Sequence, residues 1–599
     1  LAARARDLRL SDAPYWNILL HYKPTLAGRK SLVDDPRFFL SFAGPHDPEA
    51  EIEATVEGLF QDDVDGTAHP RCRFPLRYQW LLSRLGVDEV SLPAVSCREL
   101  DEALARVAPE AAALVFPSAH PNGPASLFGH TLIRMDSALE SPLASYAVNY
   151  AARPEGRENA LAYAVRGTFG ALDGYYSVVP YYEKVKEYSD MEQRDVWEYR
   201  LNLTPEEARR LALHAWELRG LSSDYYYFSE NCSYSILFLL EAARPTVSLT
   251  DRRGLWVTPL DTVADVVGAG LVRDARFRAS PSRRVRRLAS SLDADGRRSA
   301  LALADGAVSP SEAAARHLPG SRDARVLDLA AELTRIRYTR GDLTEGAYKA
   351  RFLDILGARS QLAQPLAPLS DDPAPVRPDE GHGTSAAGVG AGVRRGDPFA
   401  EVSLKPAYHG LMDPDEGYAP GSQIDFLAAR IRYYPEPRSL RLDRLTLIDV
   451  ASIAERDEFF QPLSWKVRTG LATEAFGHDD GLVFSLGAGS GLAWRTRCLG
   501  LTYAFAEAEG RVSGRYRDGF TLGVGLSAGT VRQLTERWKI DAEGRWLYFG
   551  VGDDRWEASG LVRQSLRLSR DHAVFADLER TLAADGGATE ARLSWGLYF

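Results

Sequence analysis

A cysteine, a histidine and an asparagine form a set of residues in this chain that could carry thiol nucleophile chemistry. Cys232 stands in FSENCSYSILFLLEAARP, behind tyrosines at 225–227 and at the mouth of an apolar helix that Pro245 ends. A thiol becomes a nucleophile when its pKa is lowered or a base stands beside it. A helix N-terminus supplies unpaired N–H groups and a favourable dipole. Asn231 or Ser229 is placed to cap that helix, and the N–H of Cys232 and its helix neighbours to receive an oxyanion. The competing reading is a buried, inert thiol, because cysteine is among the most buried residue types.

The base must come from eleven histidines. His130 lies in PASLFGHTLIRMD, where a Pro/Ser/Gly loop containing Ser126 delivers it to the start of an alternating strand. The strand LASYAVNYAA returns as a hairpin about a turn near residues 138–141, which sets Asn149 roughly opposite His130. An asparagine beside an imidazole fixes its tautomer and orientation, the third role of a triad. A register slip of one residue would turn Asn149 to the other face. Taken alone, His130 reads as a strand-end histidine. His120, in SAHPNG, is a rival in a turn, and His214, mid-helix, reads as packed or solvated.

The elements that position these residues change style along the chain. Residues 1–108 read as a helical N-terminal domain, and 109–255 as an α+β domain holding Cys232 and His130. Residues 256–363 read as a helical connecting region, and 364–382 as a Pro/Asp/Gly linker. TPEEARRLALHAWELRG is a marked helix, with Thr204 as N-cap, Pro205 at the first position and Glu207 closing a capping box. From residue 383 to 599 the period becomes two. In WKIDAEGRWLYFG, Trp538, Ile540, Ala542, Trp546 and Tyr548 share one face, and Lys539, Asp541, Glu543 and Arg545 the other. Roughly twelve such segments of about 10 residues, divided by short polar turns, predict an antiparallel transmembrane β-barrel. The charged face would line its interior. A soluble sandwich also alternates, but here nearly every segment carries an apolar face. The chain also ends on an aromatic strand residue, as bacterial outer-membrane proteins do.

Composition narrows the partners. A net charge of −10 with mixed signs gives no footprint for nucleic acid. The basic stretch RDARFRASPSRRVRRLASS reads as a solvated helix face, with anionic lipid as the minority reading. No apolar run is long enough for a transmembrane helix. No signal peptide is visible, which fits a cytosolic protein or an exported one already processed. Cys72 and Cys97 are a candidate disulfide, which would imply an oxidising compartment; Cys232 and Cys498 are left unpaired. There is no CxxC, no HExxH and no phosphate-binding glycine loop, so no metal or cofactor is expected.

The runs PASLFGHTLIRMD, YYEKVKEYSDMEQRDVWEYRLNLTPEE and FSENCSYSILFLLE resemble, in that order, a bacterial family first known as a domain of unknown function, DUF4105. That family is associated with the lipoprotein N-acyltransferases of some Gram-positive bacteria (Lnb-like). The likeness covers about residues 110–260. It implies that the His of FGHT and the Cys of NCSY, here His130 and Cys232, are a catalytic pair. It also marks Tyr181, Lys184 and Glu187 as motif residues that could order the loop over the site, although Lys184 could simply pair with Glu187. The CRFP segment is similar to the helical region that precedes this domain in Gram-negative members, and the C-terminal third to their barrel extension. The order His-then-Cys and the Asn-Cys pair are also similar to permuted papain-like enzymes (NlpC/P60 and lecithin:retinol acyltransferase-like). Together these imply an outer-membrane-anchored thiol acyltransferase or lipid acyl hydrolase, its N-terminal domains in the periplasm. Its partners would be phospholipid or lipoprotein acyl groups, with the SILFLL helix and the tyrosines as an acyl groove or as plain core. The transmembrane helices of the Gram-positive enzymes are absent, so donor and acceptor need not be theirs. The alternatives are a cysteine peptidase or amidase acting on cell-wall peptides, and a non-enzymatic barrel with a degenerate periplasmic domain.

Overall fold

The computed structural model describes the chain except for residues 27, 62–65, 120–127, 140, 153–165, 168–169, 171, 254–255, 311–320, 363–373, 478 and 584–585. It forms two compact units, one built within residues 1–374 and one containing Pro375–Phe599.

The first unit is centred on a seven-stranded antiparallel sheet. Its strand order is Ser222–Tyr225, Leu172–Pro180, Tyr146–Ala152, Leu132–Asp136, Ala111–Pro117, Val196–Leu201, Val272–Arg278. The central strand AAALVFP is buried along almost its whole length, so it reads as a continuous apolar run rather than an alternating one. The helices Pro205–Leu218 and Cys232–Ala243 supply the apolar surface that covers the sheet. In the first of these, Thr204 Oγ1 accepts from Glu207 N at 3.2 Å, and Glu207 Oε2 accepts from Thr204 N at 2.8 Å, which is the expected capping box.

Two expected borders are absent from this unit. Trp16, Phe38 and Leu81 of the N-terminal segment share one core with Leu114, Ile133, Val148, Ile236 and Leu240. Residues 1–108 are therefore not a separate hydrophobic body. The region after 255 is also not purely helical, because Val272–Arg278 pairs with Val196–Leu201 and extends the sheet. Polar strands such as VRDARFR are easily read as helix when their partner strand is not known. His214 is packed, bonded to His21 at 3.0 Å and to Glu217 at 2.8 Å. Arg278, Arg283 and Arg284 of the basic stretch pair with Glu198, Asp195 and Glu332 of the same unit. Cys72 and Cys97 are joined, with Cα atoms 5.1 Å apart.

The second unit is a closed antiparallel barrel of twelve long strands, from Ala386–Arg394 to Gly586–Tyr598. The first strand pairs with the last, and Asp397–Lys405 pairs with Ser422–Tyr434 to complete the ring. The alternation read from the sequence holds. Leu522, Val524, Leu526, Trp546, Tyr548, Leu593 and Trp595 are exposed on the outside. Inside, Arg432 meets Glu401, Asp443 and Glu590, while Arg511 meets Glu474, Glu509 and Glu557. These ion pairs surround an internal cavity of about 560 Å³. A water-facing protein would reverse this arrangement of charge inside and hydrocarbon outside; a lipid-facing barrel requires it. Among the described residues no helix is long and apolar enough to cross a membrane.

Candidate active site

Local sequence explains how each functional side chain is placed. Asn231 caps the helix Cys232–Ala243: its Oδ1 accepts from Ser233 N at 3.0 Å and Tyr234 N at 3.1 Å. Its Nδ2 donates to Tyr227 O at 3.0 Å and Val257 O at 2.6 Å. Every polar atom of the amide is used, so the Asn-Cys order holds Cys232 at the first helical position. The cap also takes the N–H groups of Ser233 and Tyr234, and Cys232 N–H donates to Tyr225 Oη at 3.4 Å, so each of these three helix N–H groups already has a partner. The expectation of several free helix N–H groups is corrected accordingly.

His130 is delivered by Gly129, whose φ is +88° and where a Cβ would lie 2.7 Å from the Phe116 ring. Only glycine tolerates both constraints. The backbone N–H of His130 donates to Pro117 O at 3.3 Å, tying the loop to the central strand. Its Nε2 lies 2.6 Å from Asn149 Oδ1. The strand register sets Ile133 against Val148, so Asn149 meets His130 diagonally rather than directly opposite. The next residue, Thr131, directs its backbone N–H to the Cys232 sulfur. His130, Asn149 and Cys232 are all buried, respectively 8 %, 4 % and 3 % exposed.

Electrostatics keep the resting pair neutral. Burial pushes the Cys232 thiol up, opposed by the Thr131 N–H, the Tyr225 hydroxyl, the Arg194 charge and the Ser233 N–H. Burial also lowers His130 to about 3, with Asn149 pulling it back and Arg194 and Lys184 pressing it further down. Asn149 Oδ1 can only accept, so Nε2 carries the hydrogen and Nδ1 keeps the lone pair. The arrangement is a neutral thiol whose sulfur accepts from the backbone N–H of the residue that follows a neutral imidazole.

Three contributors escaped the sequence reading. Tyr225 is buried and contacts both the N–H and the sulfur of Cys232. Tyr188, on a π-helical turn Lys186–Met191, places its ring 5.5 Å from that of His130. Arg194 is buried, and donates to Pro117 O at 2.6 Å and Ser118 O at 2.7 Å. The signal for Tyr188 and Arg194 was present in the motif YYEKVKEYSDMEQRD, but nothing in their spacing pointed to the thiol.

The remaining candidates have other duties. Tyr181 is buried and donates to Glu198 Oε1 at 2.8 Å, inside a network with Arg134. Lys184 does pair with Glu187, at 2.7 Å, while its charge still reaches His130. Ile236, Leu237, Phe238, Leu239 and Leu240 are buried. Ser126 and His120 lie outside the described residues.

With this geometry in hand, comparison with known proteins adds four family matches. Residues 99–268 match the Lnb N-terminal periplasmic domain. Residues 8–84, 275–368 and 375–598 match three domains of unknown function, DUF7843, DUF7842 and DUF7840. No curated protein matches the chain. Among solved structures, the chain is similar to a loop L8 deletion mutant of OmpT, an outer membrane protein of Vibrio cholerae. That match has 8 % identity and a TM-score of 0.20, over 37 % of this chain and 100 % of the other. The anion-selective porin from Comamonas acidovorans matches at 7 % identity and a TM-score of 0.19, over 36 % and 99 %. The Acinetobacter baumannii outer membrane protein Omp33 matches at 11 % and 0.19, over 36 % and 99 %.

Proposed function

Because residues 99–268 carry an Lnb N-terminal periplasmic domain and the chain also forms an outer-membrane β-barrel, we propose that it is a membrane-anchored thiol enzyme that moves lipid acyl groups. We read the first unit as a permuted papain-like arrangement, the nucleophile at a helix start and the base on the sheet. The observation that carries the reading is that His130, fixed by Asn149 at 2.6 Å, is followed in the chain by Thr131, whose backbone N–H reaches the Cys232 sulfur.

In this mechanism Nδ1 of His130 takes the thiol proton as sulfur attacks the ester carbonyl of a phospholipid or lipoprotein lipid. The Cys232 N–H and the Tyr225 hydroxyl stand where they can receive the oxyanion. The carbon–oxygen bond breaks, the proton passes from His130 to the leaving alkoxide, and a thioester remains. An amine, alcohol or water then attacks the thioester, giving its proton to His130 and returning the thiol.

Intact-mass analysis of the detergent-purified protein after incubation with phospholipid tests this. An acyl-sized, hydroxylamine-sensitive adduct is expected, absent in Cys232→Ala and reduced in His130→Ala. No adduct in wild type, together with a Cys232 that resists a small alkylating agent, would make the thiol structural. Turnover of soluble cell-wall peptides without an acyl adduct would replace the lipid substrate with a peptide.

A further inference from the structure

A second cluster of chemistry-bearing side chains lies in the barrel unit. His382 precedes the first strand, His409 ends the short strand Ala407–His409, and Asp413 follows in the next loop. One ligand atom from each lies within 4.8 Å of the others. They are 3 %, 1 % and 6 % exposed.

With both imidazoles neutral, the hydrogen count at this cluster does not close with protein groups alone. His382 Nδ1 lies 2.6 Å from the Gly383 carbonyl, which can only accept, so Nδ1 carries the hydrogen and Nε2 a lone pair. That lone pair faces His409 Nδ1 at 3.0 Å. If His409 supplies the hydrogen from Nδ1, its buried Nε2 is a second lone pair with no partner. The nearest group to that nitrogen is the Asp415 carboxylate at 3.8 Å, another acceptor. Two acceptors facing each other in a buried site are costly.

We infer that His382 Nε2, His409 Nδ1 and a carboxylate oxygen of Asp413 bind a divalent transition-metal cation of the zinc type. A cation between the two nitrogens replaces the shared hydrogen. His409 then carries its hydrogen on Nε2 and directs it to Asp415. Each imidazole thus has one nitrogen on the metal and the other N–H on a carbonyl or carboxylate, the usual support of metal-bound histidine. Two nitrogens on one tetrahedral zinc stand about 3.3 Å apart, so the rings need to part by only about 0.3 Å. Asp413 is already aimed: Oδ2 accepts from Gly410 N at 2.7 Å and from Lys405, and Oδ1 accepts from Tyr598 Oη at 2.7 Å. One lone pair of Oδ1 remains. Lys405 partly offsets the carboxylate charge, and Tyr418 packs at 4.3 Å on each imidazole. The ligands all precede the second long hairpin but border the barrel's closing seam, since Tyr598, which ends the last strand, donates to Asp413, and Ser385, beside the first strand, bonds Phe599. The metal would brace the chain on the first-strand side of that seam.

The test uses the full-length protein in detergent, stripped by a chelator and titrated with zinc chloride against a chromogenic competitor. One zinc per chain is expected to survive gel filtration and raise the barrel's unfolding temperature. Affinity should fall at least tenfold in H382Q, H409Q and D413N that still show heat-modifiable mobility. Zinc K-edge absorption of the wild type reads the ligands without any variant. Two imidazoles with oxygen support the site; sulfur ligands, an all-oxygen shell, or no retained zinc would overturn it, as would full affinity in a folded variant.

Discussion

His130 and Asn149 are joined by one short hydrogen bond, Nε2 to Oδ1 at 2.6 Å, made across a strand pair rather than along it. The bond selects the tautomer of the imidazole and fixes its rotation. Replacing Asn149 by alanine should slow acyl-adduct formation by about 100-fold, within the range general-base catalysis supplies. Stability should fall by no more than about 1.5 kcal/mol, the usual worth of one hydrogen bond. Rate and unfolding measured on the same preparation separate the two effects; an equal adduct rate in N149A would remove Asn149 from the site.

The protonation of the pair sets a pH profile. Burial holds His130 down to about 3 and pushes Cys232 up, so the histidine sheds its proton long before the thiol does. An imidazolium–thiolate pair needs the reverse order. Alkylation of Cys232 should therefore climb with pH through and above the ordinary thiol range, near 8.5, with no plateau on the acid side. A rate already flat from mildly acid pH upward would show a resident ion pair and contradict the resting state described.

Arg194 serves the site and the fold together. Its charge favours thiolate at Cys232 and opposes imidazolium at His130, while its guanidinium holds Pro117 O and Ser118 O. R194M should slow Cys232 alkylation at a fixed pH. It should also destabilise the unit by about 2–4 kcal/mol, because two buried carbonyls lose their donor. R194K keeps the charge without the fork, so it should recover reactivity more than stability. Parallel denaturant titrations and alkylation rates check both.

The barrel was legible in the sequence because its signal is repeated in every strand: one slip in period would put Lys539 or Asp541 into lipid. The pair His130 and Cys232 was legible through local signatures, a glycine before the histidine and a capping asparagine before the cysteine. Asn149 was found through hairpin spacing, although the diagonal contact depends on register. Tyr225, Tyr188 and Arg194 were not, because their roles come from sheet order and a π-helical turn that leave no periodic trace. His382 and His409 are 27 residues apart and meet where the register of the first barrel hairpin runs on past Ala386 and Lys405, a pairing that no short ligand spacing reveals.

The bond between Cys72 and Cys97 spans 25 residues and anchors the chain just where Cys72 O accepts from Trp216 Nε1 at 2.8 Å. Loop-closure entropy for that span predicts a contribution of about 3–4 kcal/mol. The doubly substituted C72A/C97A protein should unfold at correspondingly lower denaturant, while barrel unfolding is unchanged. Isolation from cells with both thiols free would contradict an oxidising compartment.

Leu526 tests the membrane directly. It is 62 % exposed near the middle of Phe520–Thr535, flanked on the adjacent strands by Ala506 and Trp546. On a water-facing surface, arginine there would change stability by no more than about 0.5 kcal/mol. At the midplane of a bilayer the same substitution costs about 2–4 kcal/mol, because the guanidinium must be dragged through hydrocarbon or hold water beside it. L526R folded into phospholipid vesicles should therefore shift the urea midpoint of the barrel well below wild type. An unshifted midpoint would place this face in water. The partner substitution Ser527→Ala, on the lumen side, removes a buried hydroxyl that meets Lys466 at 3.1 Å and should cost about 1 kcal/mol whatever the solvent outside.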